Sequence, residues 1–124
     1  MTAFDFRAFL EVAEELASHD DEAYRRSALS RAYYAVFRIA WHTLPAPLQM
    51  HMGQGRVHVA TWNQYAGSAT QASRQIGGIG MRLRKLRDQA DYDASLTFSP
   101  TRVRRALDEA GEALRLLDRH GYQL

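Results

Sequence analysis

The stretch Arg87-Asp88-Gln89-Ala90-Asp91-Tyr92, with Arg82, Arg84 and Lys85 just before it, holds the residue types best suited to phosphate chemistry in this chain. A guanidinium presents a planar fork of donors that matches phosphate oxygens, and a tyrosine ring offers a base a stacking face. A second set, Arg31, Tyr34, Arg38 and His42, recurs at spacings of three and four, which gathers it on one side of a helix. Arg31, Tyr34 and Arg38 together with Arg82, Arg84, Arg87 and Tyr92 can line a groove for a nucleotide or RNA, with Tyr34 or Trp41 stacking on a base. The competing reading puts the Tyr and Trp rings in the core and leaves the arginines on the surface or ion-paired.

Charge is distributed unevenly along the chain. Residues 1–22 hold seven acids and one Arg, residues 23–87 hold nine Arg and one Lys with no acid, and residues 88–124 hold seven acids and five Arg. The middle stretch therefore carries +10 in a chain whose net charge is +2. One outcome is a surface for phosphates; the other is that these arginines pair with the acidic flanks on folding. The chain has 124 residues and no cysteine, so one domain is expected, without disulfides or thiolate metal sites. Acids punctuate the first sixteen residues, so they do not read as a signal peptide, and no apolar run is long enough to span a membrane. The expected location is the cytoplasm. His42, His51 and His58 match no metal-ligand spacing, and no motif calls for a cofactor. A Ser30, His42, Asp91 triad can be drawn but has no weight without geometry.

These residues need helices to position them. Residues 22–44 contain no Gly or Pro, follow the N-cap candidates Asp20 and Asp21, and are apolar around most of the circumference. They read as a hub helix touching several neighbours. Residues 3–18 show a 3-4 apolar repeat through Phe6, Phe9, Leu10, Ala13, Leu16 and Ala17, with Arg7 and Glu11 placed to pair outside. Residues 45–55 read as a loop and 56–66 as a short helix with Val59, Trp62 and Tyr65 inward. Residues 67–80 are glycine-rich and read as a flexible connection or a frayed helix start. A phosphate-cradling loop at Gly77, Gly78 and Gly80 is the sharper alternative, but the spacing fits no phosphate-loop pattern. Residues 81–92 form a basic helix and 93–99 an extended linker. Ser99 caps the last helix, Pro100 fills its first turn and Gly121 ends it. Val103, Leu107, Ala110, Leu114 and Leu117 form a 4-3-4-3 seam, with Arg104/Asp108 and Arg105/Glu109 as outer pairs. Gly111 within that helix suggests a close helix approach, inside the fold or across a dimer. No stretch makes a sheet. The expected fold is all-α, an up-and-down bundle of four main helices plus one short helix.

Three signatures in order, Ser30-Arg31-Ala32-Tyr33-Tyr34-Ala35, Leu86 through Tyr92, and Ser99-Pro100 opening an amphipathic helix, together resemble the HEPN domain (higher eukaryotes and prokaryotes nucleotide-binding). The likeness is to its small stand-alone bacterial branch with the SRAYYA … R-x-x-ADY pattern, and it covers residues 6–117. It implies a four- or five-helix bundle and a homodimer. Many members are metal-independent ribonucleases, and several are toxins neutralised by a minimal nucleotidyltransferase encoded next door. Their active site is an R-x(4–6)-H motif doubled across the dimer, in which the Arg holds the scissile phosphate and the His moves a proton. If such a partner transfers nucleotides, Tyr92 or Tyr122 is the acceptor hydroxyl by analogy.

This chain departs from the pattern at the motif itself. The matching segment has Arg87 and Tyr92 but no His; Asp91 stands near that position and, being ionised, repels phosphate unless paired. A structural role, with Asp91 pairing Arg31 and tying two helices together, is the preferred reading. A literal R-x4-H-x-Y occurs at Arg115, His120 and Tyr122. It lies at the end of the last helix, where an Arg and a His five residues apart diverge by roughly 140°. Three functions follow: a non-catalytic nucleotide- or RNA-binding module acting with a nucleotidyltransferase in a toxin–antitoxin-like or defence system; an active metal-independent endoribonuclease using Arg87, or Arg115 and His120; or a structural helical adaptor.

Overall fold

The helix that begins at Asp21 sets the architecture. Asp21 caps it, its side chain accepting a hydrogen bond from the Ala23 N–H at 2.8 Å. In the computed structural model, which describes residues 3–50, 52 and 54–123, the element order is α1 (Ala8–Ala17), α2 (Glu22–Thr43), α3 (Ala46–Met50), a 3-10 turn (Gln54–Arg56), α4 (Val57–Ala66), α5 (Gln71–Tyr92) and α6 (Pro100–His120). The described residues contain no strand. The all-α expectation holds, and α2 is the hub: it packs against α1, α5 and α6, while α4 lies against α5. Ala28, Ala32, Tyr33, Val36 and Ala40 of α2 are wholly buried in one continuous core with Trp62, Tyr65, Ile76, Phe98 and Ala110.

α5 runs ten residues further toward its N-terminus than its basic segment suggests. The glycine-rich stretch is neither a connection nor a phosphate loop, because Gly77, Gly78 and Gly80 lie inside this helix. For Gly77 and Gly80 the reason is contact with α4. A Cβ on Gly77 would sit 2.6 Å from the Ala66 backbone nitrogen, and one on Gly80 would sit 2.2 Å from the Trp62 ring. Both are buried, so α5 is a helix despite its glycines, because they let it approach α4 closely. Within the expected loop, α3 forms one short helix. Its Gln49 amide donates to the carbonyls of Trp41 at 2.8 Å and Leu44 at 3.0 Å, satisfying groups freed at the end of α2.

The seam of α6 is entirely inward: Val103, Leu107, Ala110, Leu114 and Leu117 are all buried in the chain's own core. It is therefore not the contact face of a dimer. Gly111 is not a close-approach glycine either, since a Cβ there would meet only Leu10 Cδ2 at 4.0 Å and the tip of Arg115 at 3.4 Å. The ends of α6 follow the sequence: the Ser99 hydroxyl accepts from the Arg102 N–H, Pro100 opens the helix, and Gly121 closes it at φ +62°. Two surface pairs differ. Arg7 bonds Asp5 and Asp118 rather than Glu11, and Glu109 takes Arg82 rather than Arg105. Val59 points outward, 42% exposed, because Trp62 and Tyr65 fill the inner face of α4.

Candidate nucleotide site

Arg25 and Arg26 illustrate how the basic middle stretch is partly spent on structure. Arg26 donates to the carbonyls of Ala90 and Asp93, both at 3.0 Å, and to that of Leu96, while its Nε reaches Glu22 at 3.2 Å. It thus satisfies the open carbonyls at the end of α5. Arg25 donates to the Phe98 carbonyl and pairs with Asp20 and Glu22. Arg82 pairs with Glu109 at 2.6 Å on another side of α5, so it is separated from the proposed groove. Pairing with the acidic flanks accounts for these three cations.

A different group converges where α2, α4 and α5 meet. Arg87 is 9% exposed, and its guanidinium carbon lies 5.4 Å from the Tyr33 ring centroid and 5.3 Å from that of Tyr34. The Arg31 guanidinium carbon also lies 5.3 Å from the Tyr34 ring centroid, and 4.8 Å from that of Phe9. One tyrosine is therefore shared by two guanidinium groups, an arrangement held by cation–π attraction. Arg87 Nη2 is 3.2 Å from Asp88 and Nη1 is 3.9 Å from Asp91. Asp91 accepts from the Ser30 hydroxyl at 3.2 Å. The expected Arg31–Asp91 tie is thus corrected: Asp91 does join α5 to α2, but through Ser30 and beside Arg87, because the Arg31 side chain lies over Phe9 and Tyr34.

His58, on α4, completes the group. Its Nδ1 is 2.6 Å from the Tyr33 hydroxyl, its ring stacks on Phe37 at 3.9 Å, and Tyr34 meets it edge-on at 6.0 Å. Burial, followed by repulsion from Arg87 and Arg84, holds its pKa below the ordinary imidazole value, with Asp88 opposing weakly. Burial raises the Tyr33 pKa well above the ordinary phenol value. Arg84 borders a small hollow with Val59, Trp62, Asn63 and Met81. Both Arg84 and Arg87 have a buried Nε with no hydrogen-bond partner among the described residues. A buried donor without an acceptor is uncommon, and two on consecutive turns of one face concentrate donor capacity for an anion.

The remaining candidates fall elsewhere. Arg38 extends the α2 strip away from this group: its guanidinium lies 4.2 Å from the Phe6 ring centroid and its Nη2 is 3.2 Å from His42 Nε2. His42 stacks on Phe6 at that end of α2, twelve residues from Ser30, so no Ser30–His42–Asp91 triad forms. Tyr92 ends α5, 79% exposed, outside the cluster. Arg115 is occupied by Glu112 at 2.9 Å on the surface, and His120 is exposed in the last turn of α6. Tyr122 is structural, receiving a bond from Gln64 at 2.6 Å and packing edge-on against Tyr65. Arg115 and His120 thus lie on the surface at the end of α6, apart from the group around Arg87. His51 lies outside the described residues.

His58 is the site residue that sequence reading passed over. Its signal was weak: a lone histidine on a helix 29 residues before Arg87 is brought to it only by the packing of α4 on α5. No helix among the described residues is long and apolar enough to cross a membrane. No family model, curated protein or solved structure matches this chain.

Proposed function

We propose that the chain is a nucleotide- or RNA-binding helical module whose phosphate site is formed by Arg84 and Arg87 beside His58, Tyr33 and Tyr34. The observation that carries this reading is the buried Arg87: it is held against two aromatic rings with its Nε unpartnered, one turn from the half-buried Arg84, whose Nε is likewise unpartnered. Arg26 is occupied by carbonyls and a carboxylate, whereas Arg84 and Arg87 each keep an unpartnered Nε, although Arg87 also pairs with Asp88 and Asp91. Arg38, toward the other end of α2, keeps one too, but without a second such arginine beside it. Arg31 and Tyr34 continue the site along α2, and the tyrosines offer stacking faces to a base. The hollow beside Arg84, about 210 Å³, is smaller than the roughly 300–1,000 Å³ of typical small-molecule sites, which suits one ring rather than an enclosed nucleotide. The resemblance of SRAYYA … RDQADY to HEPN domains supports the same reading. That resemblance alone supplies the homodimer, the minimal nucleotidyltransferase partner and the toxin–antitoxin-like setting, with Tyr92 the exposed hydroxyl such a partner would meet.

A second reading, a metal-independent ribonuclease, is favoured by one observation: His58 approaches from α4 and supplies in space the histidine that the segment 87–92 lacks. Incubation of labelled RNA with purified protein and no divalent metal separates the readings. The binding module retains RNA at low salt without cutting it, and Arg87→Ala or Arg84→Ala lowers affinity about tenfold or more, the loss of a charge-assisted contact. Cleavage abolished by His58→Ala establishes the ribonuclease instead. Cleavage abolished by His120→Ala alone contradicts the site assigned here. No cleavage and no retention leaves the helical adaptor.

A further inference from the structure

Trp62, Tyr33 and His58 form a chain of two hydrogen bonds whose direction is fixed by chemistry. The indole Nε1–H of Trp62 can only donate, and it lies 3.1 Å from the Tyr33 hydroxyl oxygen, which therefore accepts. Tyr33 is wholly buried, and its hydroxyl has one other partner among the described residues, His58 Nδ1 at 2.6 Å. Were Nδ1 to carry the proton, the oxygen would accept twice and its own buried O–H would have no acceptor, which is unfavourable by about 1–3 kcal/mol. Tyr33 therefore donates to Nδ1. The neutral imidazole then carries its proton on Nε2. Phe37, stacked on the ring at 3.9 Å, holds it in that orientation.

Resting on the phosphate-site reading above, we propose that Trp62 and Tyr33 lock His58 as the neutral Nε2–H tautomer, making it a hydrogen-bond donor that binds an RNA phosphate oxygen beside Arg84 and Arg87. Tyr33 is a positioning residue in this scheme and His58 a binding residue. The groups facing His58 agree with it: Tyr33, Tyr34 and Phe37 from α2, Arg84 and Arg87 from α5, with Asp88 the one carboxylate acting on it. Two cations disfavour a third positive charge, so the site offers two charged forks and one uncharged donor. A histidine in this state has no free lone pair at Nε2 with which to take a proton from a 2′-hydroxyl. The same lock that builds an oxyanion site thus withholds a general base, which favours binding over cleavage.

Nitrogen-15 NMR of the imidazole in the free protein tests the lock without any ligand. The expected spectrum shows Nδ1 unprotonated and Nε2 protonated near neutral pH. Tyr33→Phe is expected to populate the other tautomer and raise the titration midpoint of His58; where that variant does not fold, the wild-type spectrum decides. A short oligouridylate tests the donor. Glutamine places an amide donor near the Nε2 position and asparagine near Nδ1, so His58→Gln keeps most of the affinity while His58→Asn and His58→Ala lose about tenfold. A wild-type Nδ1–H tautomer, or equal loss in Gln and Asn, overturns this inference and leaves the phosphate site standing. Absence of oligouridylate binding in the wild type overturns the donor role together with the reading it rests on.

Discussion

His58 shows how much a single residue depends on what surrounds it. Its depressed pKa has a stability consequence with a definite sign. The folded chain binds the proton more weakly than the unfolded chain, whose imidazole titrates near about 6.5. Above that pH both states are neutral and the folded state loses nothing. As pH falls from about 6.5 toward the folded value, the unfolded state takes up the proton first and stability falls. His42, lowered by burial and by Arg38, acts in the same direction. The carboxylates with lowered values, Asp5, Glu14, Glu22 and Asp93, start from 3.8 or 4.5 and contribute only at lower pH. Denaturant midpoints measured between pH 7 and 5 are therefore expected to fall, and His58→Gln is expected to flatten part of that slope. An unchanged slope would contradict the buried, neutral state of His58. At this scale the sequence singled out Arg87, Arg31 and Tyr34, which do come together in space. It was silent about His58, whose role comes from tertiary packing, and misleading about the Arg31–Asp91 pair, because periodicity places residues on a face without saying which partner each selects.

Helix boundaries and glycines carry the argument at the next scale. α2 and α6 were legible because their caps are written in the sequence: Asp21 before one, Ser99-Pro100 and Gly121 around the other. The first half of α5 was not, since glycine lowers helix propensity whatever its tertiary reason. The four helical glycines divide accordingly. Gly77→Ala and Gly80→Ala are expected to destabilise by about 1–3 kcal/mol or more, because the new methyl meets the Ala66 backbone or the Trp62 ring. Gly78→Ala and Gly111→Ala meet at nearest the tips of Arg82 at 3.5 Å and Arg115 at 3.4 Å, which can move aside. These two are expected to stabilise by up to about 1 kcal/mol through helix propensity. Thermal melting of the four variants decides it; a stabilised Gly80→Ala would mean that α5 does not rest on α4 through glycine. Because Trp62 is both the neighbour of Gly80 and the donor to Tyr33, displacement at this contact also disturbs the site.

Across the whole molecule, one all-α bundle converts an uneven charge sequence into two populations of arginine. Arg25, Arg26 and Arg82 are drawn to acids and carbonyls from the flanks, so segregation along the chain is partly undone in space. Arg31, Arg84 and Arg87 converge with His58 around Tyr33 and Tyr34. The bundle itself was readable from apolar periodicity, whereas the site needed three helices to meet. The most direct check is an NMR titration of the arginine Nε–H groups with a short oligoribonucleotide at low salt. Selective shifts at Arg84 and Arg87, fading as salt rises, are the expected result, since phosphate contacts release counterions. Shifts confined to Arg115 and the end of α6, or no shifts with the bundle intact, would contradict the assignment of this site.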